Sequence, residues 1–333
     1  MSKAVPVLSD RSTHDIRNAV RGDGLFAPHP LIVSAFMFII ATASRRYNVG
    51  IVAYALMPNH IHLIIRPFFD PDKPSDPVLF RRFVRSNFGR FINFFWQQRG
   101  LDTRGAVFCY DSTGDSIMII DAESEIDQIR YVELNGVRAG LETRPEYLKG
   151  AISQRRWLTN PPTVERPKVW FQRRSWEESE VLRLCVPPKA EEKGHDARSF
   201  QEKSQEIINQ SIRKEHARRK SAGLGFRRLS DIAKDVPAME FGHSEADYSR
   251  AVLVGADKQL KALEFHNLRA WNSWYDDAKR RLKAGETNVV FPPGTYQLAA
   301  LHGVQVADES YFRAPIRRRD AGNLGQLYRR QLM

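Results

Sequence analysis

The stretch GIVAYALMPNHIHLIIRP, residues 50–67, constrains the fold more than any other part of the chain. It is apolar almost throughout, is interrupted by Met-Pro-Asn, and carries two histidines one residue apart in its second half. Such a run reads as one buried strand bent at Pro58, or as two short strands. A buried strand ordinarily carries Val or Ile where His60 and His62 stand. Residues two apart on a strand point to the same side, so the two imidazoles project together while Ile61 and Leu63 face the other way. That arrangement permits shared coordination of a divalent metal by neutral imidazole. It equally permits two hydrogen-bonded strand histidines with no metal.

Around this run, apolar segments alternate with helical patterns, which points to an α+β or α/β architecture. Residues 31–47 read as a helix with Arg45 and Arg46 in its last turn, and residues 77–100 as a second, with phenylalanines at helical spacing and Gly100 as its stop. DSIMII at 115–120 reads as a strand, and residues 122–141 as a helix ending near Gly136 or Gly140. Further on, SEVLRLCV reads as a strand between proline-rich connections, and long helices are expected at 197–220 and about 246–284. NVVFPPGTYQLAALHGV at 288–304 reads as a strand pair, or a strand and turn. No internal repeat and no long low-complexity segment is present.

Composition narrows the function classes. The formal net charge is +12, which favours a polyanionic partner, most often nucleic acid. Residues 1–150 hold 18 Lys and Arg against 16 Asp and Glu, whereas residues 151–333 hold 33 against 23, so the excess lies in the second half. The longest apolar run, LIVSAFMFIIATA at 31–43, is shorter than the roughly 20 residues a bilayer requires, and the N-terminus lacks a secretory pattern. Cys109 and Cys185 cannot build a disulfide framework. A soluble protein of a reducing cytoplasm, without membrane association, is therefore expected. The chain contains no G-x-x-x-x-G-K-[ST] phosphate loop, so ATP chemistry of that type is excluded.

A second segment, RYVELNGVRAGL at 130–141, places Tyr131 and Asn135 four residues apart, on one face of the expected helix. A phenol is a poor nucleophile at neutral pH, but a nearby dication favours phenolate and polarises a phosphodiester. Ordinary helix packing for Tyr131 and a helix cap for Asn135 are the plain alternatives.

Taken together, MPNHIHLII and YVELNGVRAGL resemble the paired motifs of the single-tyrosine HUH transposases, in their REP-associated branch. The resemblance implies an α+β fold: a ferredoxin-like HUH domain over residues 10–150, with a central antiparallel sheet and flanking helices. A mainly helical, basic accessory region would follow over 151–333. It implies that His60 and His62 bind Mg²⁺ or Mn²⁺ with Asn135 as third ligand. Tyr131 would attack single-stranded or hairpin DNA to leave a 5′-phosphotyrosine and a free 3′-hydroxyl, with the site assembled in a monomer or across a homodimer. ERPKVWF at 165–171 and VVFPPGTYQLAALHGV at 289–304 look like segments of longer bacterial members. Two departures stand out: Gly136 replaces a common proline, and VFCYDSTGDS at 107–116 replaces a basic aromatic segment.

Charge alone suggests the remaining DNA contacts. Arg81, Arg82, Arg85 and Arg90 project from the expected helix among Phe83, Phe88, Phe91 and Phe94, and Arg138 follows the tyrosine. RKEHARRK at 213–220 and RRRD at 317–320 are further basic patches. Asn59, Asp127 and Glu133 lie near the motifs without an assigned role. A non-catalytic DNA-binding protein and a metallohydrolase with a water nucleophile are the competing readings.

Overall fold

The computed structural model describes residues 6–19, 24–27, 29–70, 72–101, 107–108, 116–171, 176–227, 253–295, 298 and 302–309. Cys109, RRRD at 317–320 and most of VFCYDSTGDS lie outside the described residues.

The first half runs β1 (Ser12–Asn18), α1 (Pro30–Tyr47), β2 (Val49–Leu56), β3 (His60–Pro67), α2 (Pro77–Gln97) and β4 (Ser116–Ile119). Local chemistry sets the helix ends. Proline occupies the first turn of α1 and of α2, where its missing N–H is no loss. The Asp76 carboxylate accepts the Leu79 amide at 2.8 Å to open α2. Asn48 closes α1 in the left-handed conformation, at φ 51°. The Met-Pro-Asn break separates β2 and β3, so the long apolar run is a hairpin rather than one bent strand.

Strand order across the sheet is β2-β3-β1-β4, with every one of these pairings antiparallel. A fifth strand, β7 (Leu253–Val254), adds parallel to β4, so the expected antiparallel sheet is in fact mixed. It is recruited by the helix that follows it, whose Leu268 and Trp271 pack on Met118 and Ile120 of the edge. β1 itself was not expected from sequence. STHDIRN has few apolar residues, yet the strand lies in the middle of the sheet.

The chain continues through α3 (Ala122–Glu133) and α4 (Asn135–Arg138), then 3-10 turns at Pro145–Leu148 and Arg155–Leu158. Where one helix was expected over 122–141, a turn at Leu134 divides two. Leu134 and Val137 are drawn into a cluster with Ile208 and Ile212 of a later helix. Gly136 permits close approach of the following turn, since a Cβ there would collide with Leu148 Cδ1 and sit 3.1 Å from Ile152 Cδ1. That packing accounts for the glycine.

β5 (Thr163–Glu165) and β6 (Ser179–Val181) form a small hairpin, followed by α5 (Pro188–Glu192) and α6 (Ala197–Ser221). After β7 come α7 (Lys258–Lys283) and the parallel pair β8 (Val290–Phe291) and β9 (Gln305–Val306). α7 begins at an Asp257 cap, later than expected. One apolar core unites α1, α2 and the sheet with residues from 151 to 200, including Trp157, Phe171 and Phe200. Among the described residues, no helix is long and apolar enough to cross a membrane.

Candidate active site

Strand alternation sends neighbouring residues of β1 to opposite faces of the sheet. Asp15 meets Arg81 of α2 on one face; His14 meets Gln128 of α3 on the other. His62 lies opposite Ile16, and His60 opposite Asn18, so both β3 histidines share the face of His14 and lie under α3. Tyr131, on α3, completes the cluster. Its ring centroid is 5.5 Å from that of His62 and 6.1 Å from that of His14, and His60 and His62 are 4.7 Å apart. The phenol is exposed, whereas His62 and His14 are buried.

The hydrogen bonds determine which imidazole nitrogens are available. Gln128 Oε1, 2.8 Å from His14 Nδ1, can only accept, so His14 carries its proton on Nδ1. A neutral His14 then accepts at Nε2, 2.9 Å from His62 Nδ1, which makes His62 the donor. Its Nε2 lone pair is left over: that atom is buried, with no hydrogen-bond partner among the described residues. His60 follows the same logic, because Asn59 Oδ1 stands 2.7 Å from its Nδ1 and leaves Nε2 unprotonated.

Burial holds all three rings in the neutral form. Desolvation, with a smaller contribution from His14, pushes His60 down to about 4. Desolvation and the two neighbouring imidazoles drive His62 well below its ordinary value, and desolvation lowers His14 despite its bond to Gln128. Neutral imidazoles braced at Nδ1 by an oxygen or by another ring are the form that ligates metal. The donor set therefore fits a divalent cation at two Nε2 atoms. Among the described residues, no group of three or more His, Cys, Asp or Glu is arranged to hold a metal, so oxygen ligands would have to come from amides or water.

The other expected residues distribute as follows. Asn135 opens α4 just beyond the turn at Leu134, so it no longer shares one continuous helix with Tyr131. Arg138 comes back to the site, its guanidinium carbon 5.4 Å from the Tyr131 ring centroid. The α2 arginines do not form one stripe. Arg81 turns inward to Asp15 and Thr13 at 2.6 and 2.8 Å, whereas Arg82 and Arg85 are exposed, and Arg90 is exposed in the row of Phe83, Asn87 and Phe94. Within RKEHARRK, Arg219 is buried and donates to the Arg138 and Gly225 carbonyls, so this basic patch is smaller than its sequence suggests.

Of the three residues without an expected role, Asn59 braces His60, Glu133 is bound inside the protein by Arg155 and Ser153, and Asp127 pairs with Arg130 at the surface. His14 and Gln128 were missed. Gln128 precedes Tyr131 by three residues and thus shares its helix face, a signal available in the sequence. His14 had none, because its strand lacks an apolar pattern.

No family model matches the chain, and no curated protein matches it. Among solved structures, it is similar to a REP-associated tyrosine transposase bound to a REP hairpin, at 17% identity over 42% of this chain and 75% of that one, with a TM-score of 0.32. It is also similar to a candidate transposase from Deinococcus radiodurans R1, at 15% identity over 40% of this chain and 97% of that one, with a TM-score of 0.27.

Proposed function

We propose that the chain is a metal-dependent transposase or nickase of single-stranded or hairpin DNA that works through a 5′-phosphotyrosine at Tyr131. One observation carries the reading. The Gln128–His14–His62 relay and the Asn59–His60 pair leave two imidazole lone pairs beside an exposed phenol. The element order β-α-β-β-α-β, with strand order β4-β1-β3-β2, supports a ferredoxin-like HUH assignment for residues 10–150. Residues 151–333 then serve as the basic accessory region.

In this reading His60 and His62, with Asn135, hold Mg²⁺ or Mn²⁺, which polarises the scissile phosphate when bound. The Tyr131 hydroxyl loses its proton and attacks phosphorus as the bond to the 3′-oxygen breaks. That oxygen takes up a proton to become the free hydroxyl. Arg138, stacked near the tyrosine, favours phenolate and the extra negative charge on the phosphoryl oxygens. The phosphotyrosine bond conserves phosphodiester energy, so the reverse attack by a 3′-hydroxyl rejoins DNA without ATP. Arg82, Arg85 and Arg90 supply phosphate contacts; Arg81, tied to Asp15, shapes the helix that presents them. The protein acts in the cytoplasm as a monomer or homodimer.

The test is a denaturing gel of labelled single-stranded and hairpin DNA incubated with Mn²⁺, Mg²⁺ or EDTA, run beside Tyr131→Phe. A metal-dependent covalent protein–DNA band that vanishes in the variant is expected. Cleaved DNA persisting in the variant would replace this reading with a water-activating hydrolase. Binding without cleavage under any condition would replace it with a non-catalytic DNA-binding protein.

A further inference from the structure

The opposite side of the sheet carries a concave surface that includes Arg90 but takes no part in the step at Tyr131. The last turns of α1 and the middle of α2 meet Trp170, Phe171, Trp176 and Glu177 around a cleft of about 620 Å³, within the range of roughly 300–1,000 Å³ that holds small ligands. Its floor and walls are aromatic. Trp176 packs on Phe83 and Phe171 at 5.5 and 4.9 Å between centroids, and Trp170 packs on Phe94 at 4.9 Å. Both tryptophans are only partly buried, and both line the cleft.

The polar lining has a definite sign. Among the described lining residues, Arg45, Arg46 and Arg90 face a single carboxylate, Glu177. Arg45 is matched by acid, donating to both Glu180 oxygens at 2.8–3.2 Å and lying 3.9 Å from Glu177. Among the described residues, neither Arg46 nor Arg90 makes an ion pair. The Arg46 guanidinium instead lies 5.7 Å from the Tyr47 and Phe83 ring centroids. Indole faces between two guanidiniums suit alternating flat rings and negative charges.

We propose that this cleft binds an unpaired segment of single-stranded DNA, with a base stacked on Trp170 or Trp176 and its flanking phosphates on Arg46 and Arg90. Base stacking on aromatics with arginine contacts to the backbone is the general mode of single-strand recognition. A duplex hides its base faces and does not fit. The site lies across the sheet from Tyr131 and needs neither metal nor cleavage, so it stands whether or not the tyrosine is a nucleophile.

The test uses the full chain carrying Tyr131→Phe, in EDTA, with a labelled oligothymidylate read by fluorescence anisotropy. Trp170→Ala is expected to weaken binding by roughly tenfold, and Trp170→Phe to restore most of it. Arg46→Ala with Arg90→Ala, both at exposed positions that leave the core intact, is expected to reduce the slope of log affinity against log salt by about 1.4. Irradiation of a 5-bromodeoxyuridine oligonucleotide is expected to attach it at Trp170 or Trp176. Adducts found only elsewhere, an unchanged slope in the arginine variant, or displacement of the oligonucleotide by an acidic peptide at equal charge would overturn the assignment.

Discussion

The two faces of β1 solve the same problem in opposite ways. Toward α2, Asp15 is buried with every oxygen answered: Arg81 donates to one, the Ser116 hydroxyl to the other, and Thr13 accepts the second Arg81 bond. Toward α3, one residue earlier, His14 and His62 are buried just as deeply, yet the chain of bonds from Gln128 ends at a bare Nε2. The first face is closed and charged; the second is neutral and open-ended. A buried polar group that is fully paired contributes to architecture, whereas one that folding leaves unpaired calls for an explanation, and beside an exposed phenol a ligand supplies one. Glu133, answered by Arg155 and Ser153, belongs with the first kind although it lies two residues from the tyrosine.

If that contrast is right, substitutions on the two faces separate chemistry from stability. The largest effect belongs to His62→Ala, which is expected to lower single-strand cleavage by roughly 10³-fold, the worth of several kcal/mol of transition-state stabilisation. Its DNA affinity in EDTA should stay close to that of the parent, and its stability should fall by less than that of a variant on the closed face, the cost being a small cavity and an unpaired His14 Nε2. A large loss of stability in His62→Ala would dissolve the comparison. On the other face, Arg81→Leu strands the Asp15 carboxylate, and urea unfolding should show a loss of about 2–3 kcal/mol. That is less than a fully buried pair would lose, because Arg81 keeps part of its surface in water. Adding Asp15→Leu is expected to recover much of the loss.

A smaller effect falls on the residues behind the open nitrogen. His14→Ala removes the acceptor that fixes the His62 tautomer and is expected to weaken metal dependence by about 10- to 100-fold, with Gln128→Ala at the lower end. A Mn²⁺ titration of the cleavage rate reads both. Equal losses at low and saturating Mn²⁺ would show that His14 acts on something other than metal affinity.

How much of this was readable beforehand depends on which force wrote each element. The hairpin of β2 and β3, both core helices of the first half and α6 follow apolar period, caps and proline, and those signals are local. β1 escaped because its burial comes from neighbours on both sides and from polar partners as distant as Ser116, Glu125 and Gln128, not from its own pattern. The break at Leu134 escaped for the same reason, being set by α6 more than seventy residues away in the chain. Of the site, the two β3 histidines and Tyr131 were visible as motifs, and the structure brings them together. The atoms left free by hydrogen bonding were not visible, since a tautomer is decided by partners that only the fold assembles.

The open face also buries an acid whose nearby cation, Lys189, is salt-bridged to Asp10 and Glu192 instead, and that gives the smallest and most specific pH signal. Glu125, in the first turn of α3, receives the Ser12 hydroxyl at 3.1 Å and the Ala190 amide at 3.2 Å. Desolvation nevertheless outweighs these bonds and pushes its carboxyl up to about 7. The folded state therefore holds a proton that the unfolded chain releases near 4.5, so this group's contribution is fully present below 4.5 and lost as pH rises through 7. His60, held down at about 4, works in reverse: its contribution is present above 6.5 and lost as pH falls. The two slopes oppose each other between 4.5 and 6.5, so the parent alone shows little. Subtracting Glu125→Gln isolates the acid. The variant is expected to gain stability over the parent between pH 5 and 8, on the order of 1 kcal/mol, because opening of the first helical turn lets water reach the carboxylate and limits the cost. A parent and variant whose unfolding free energies stay parallel across that range would mean Glu125 is paired as fully as Asp15, and the contrast between the faces would shrink to the histidines alone.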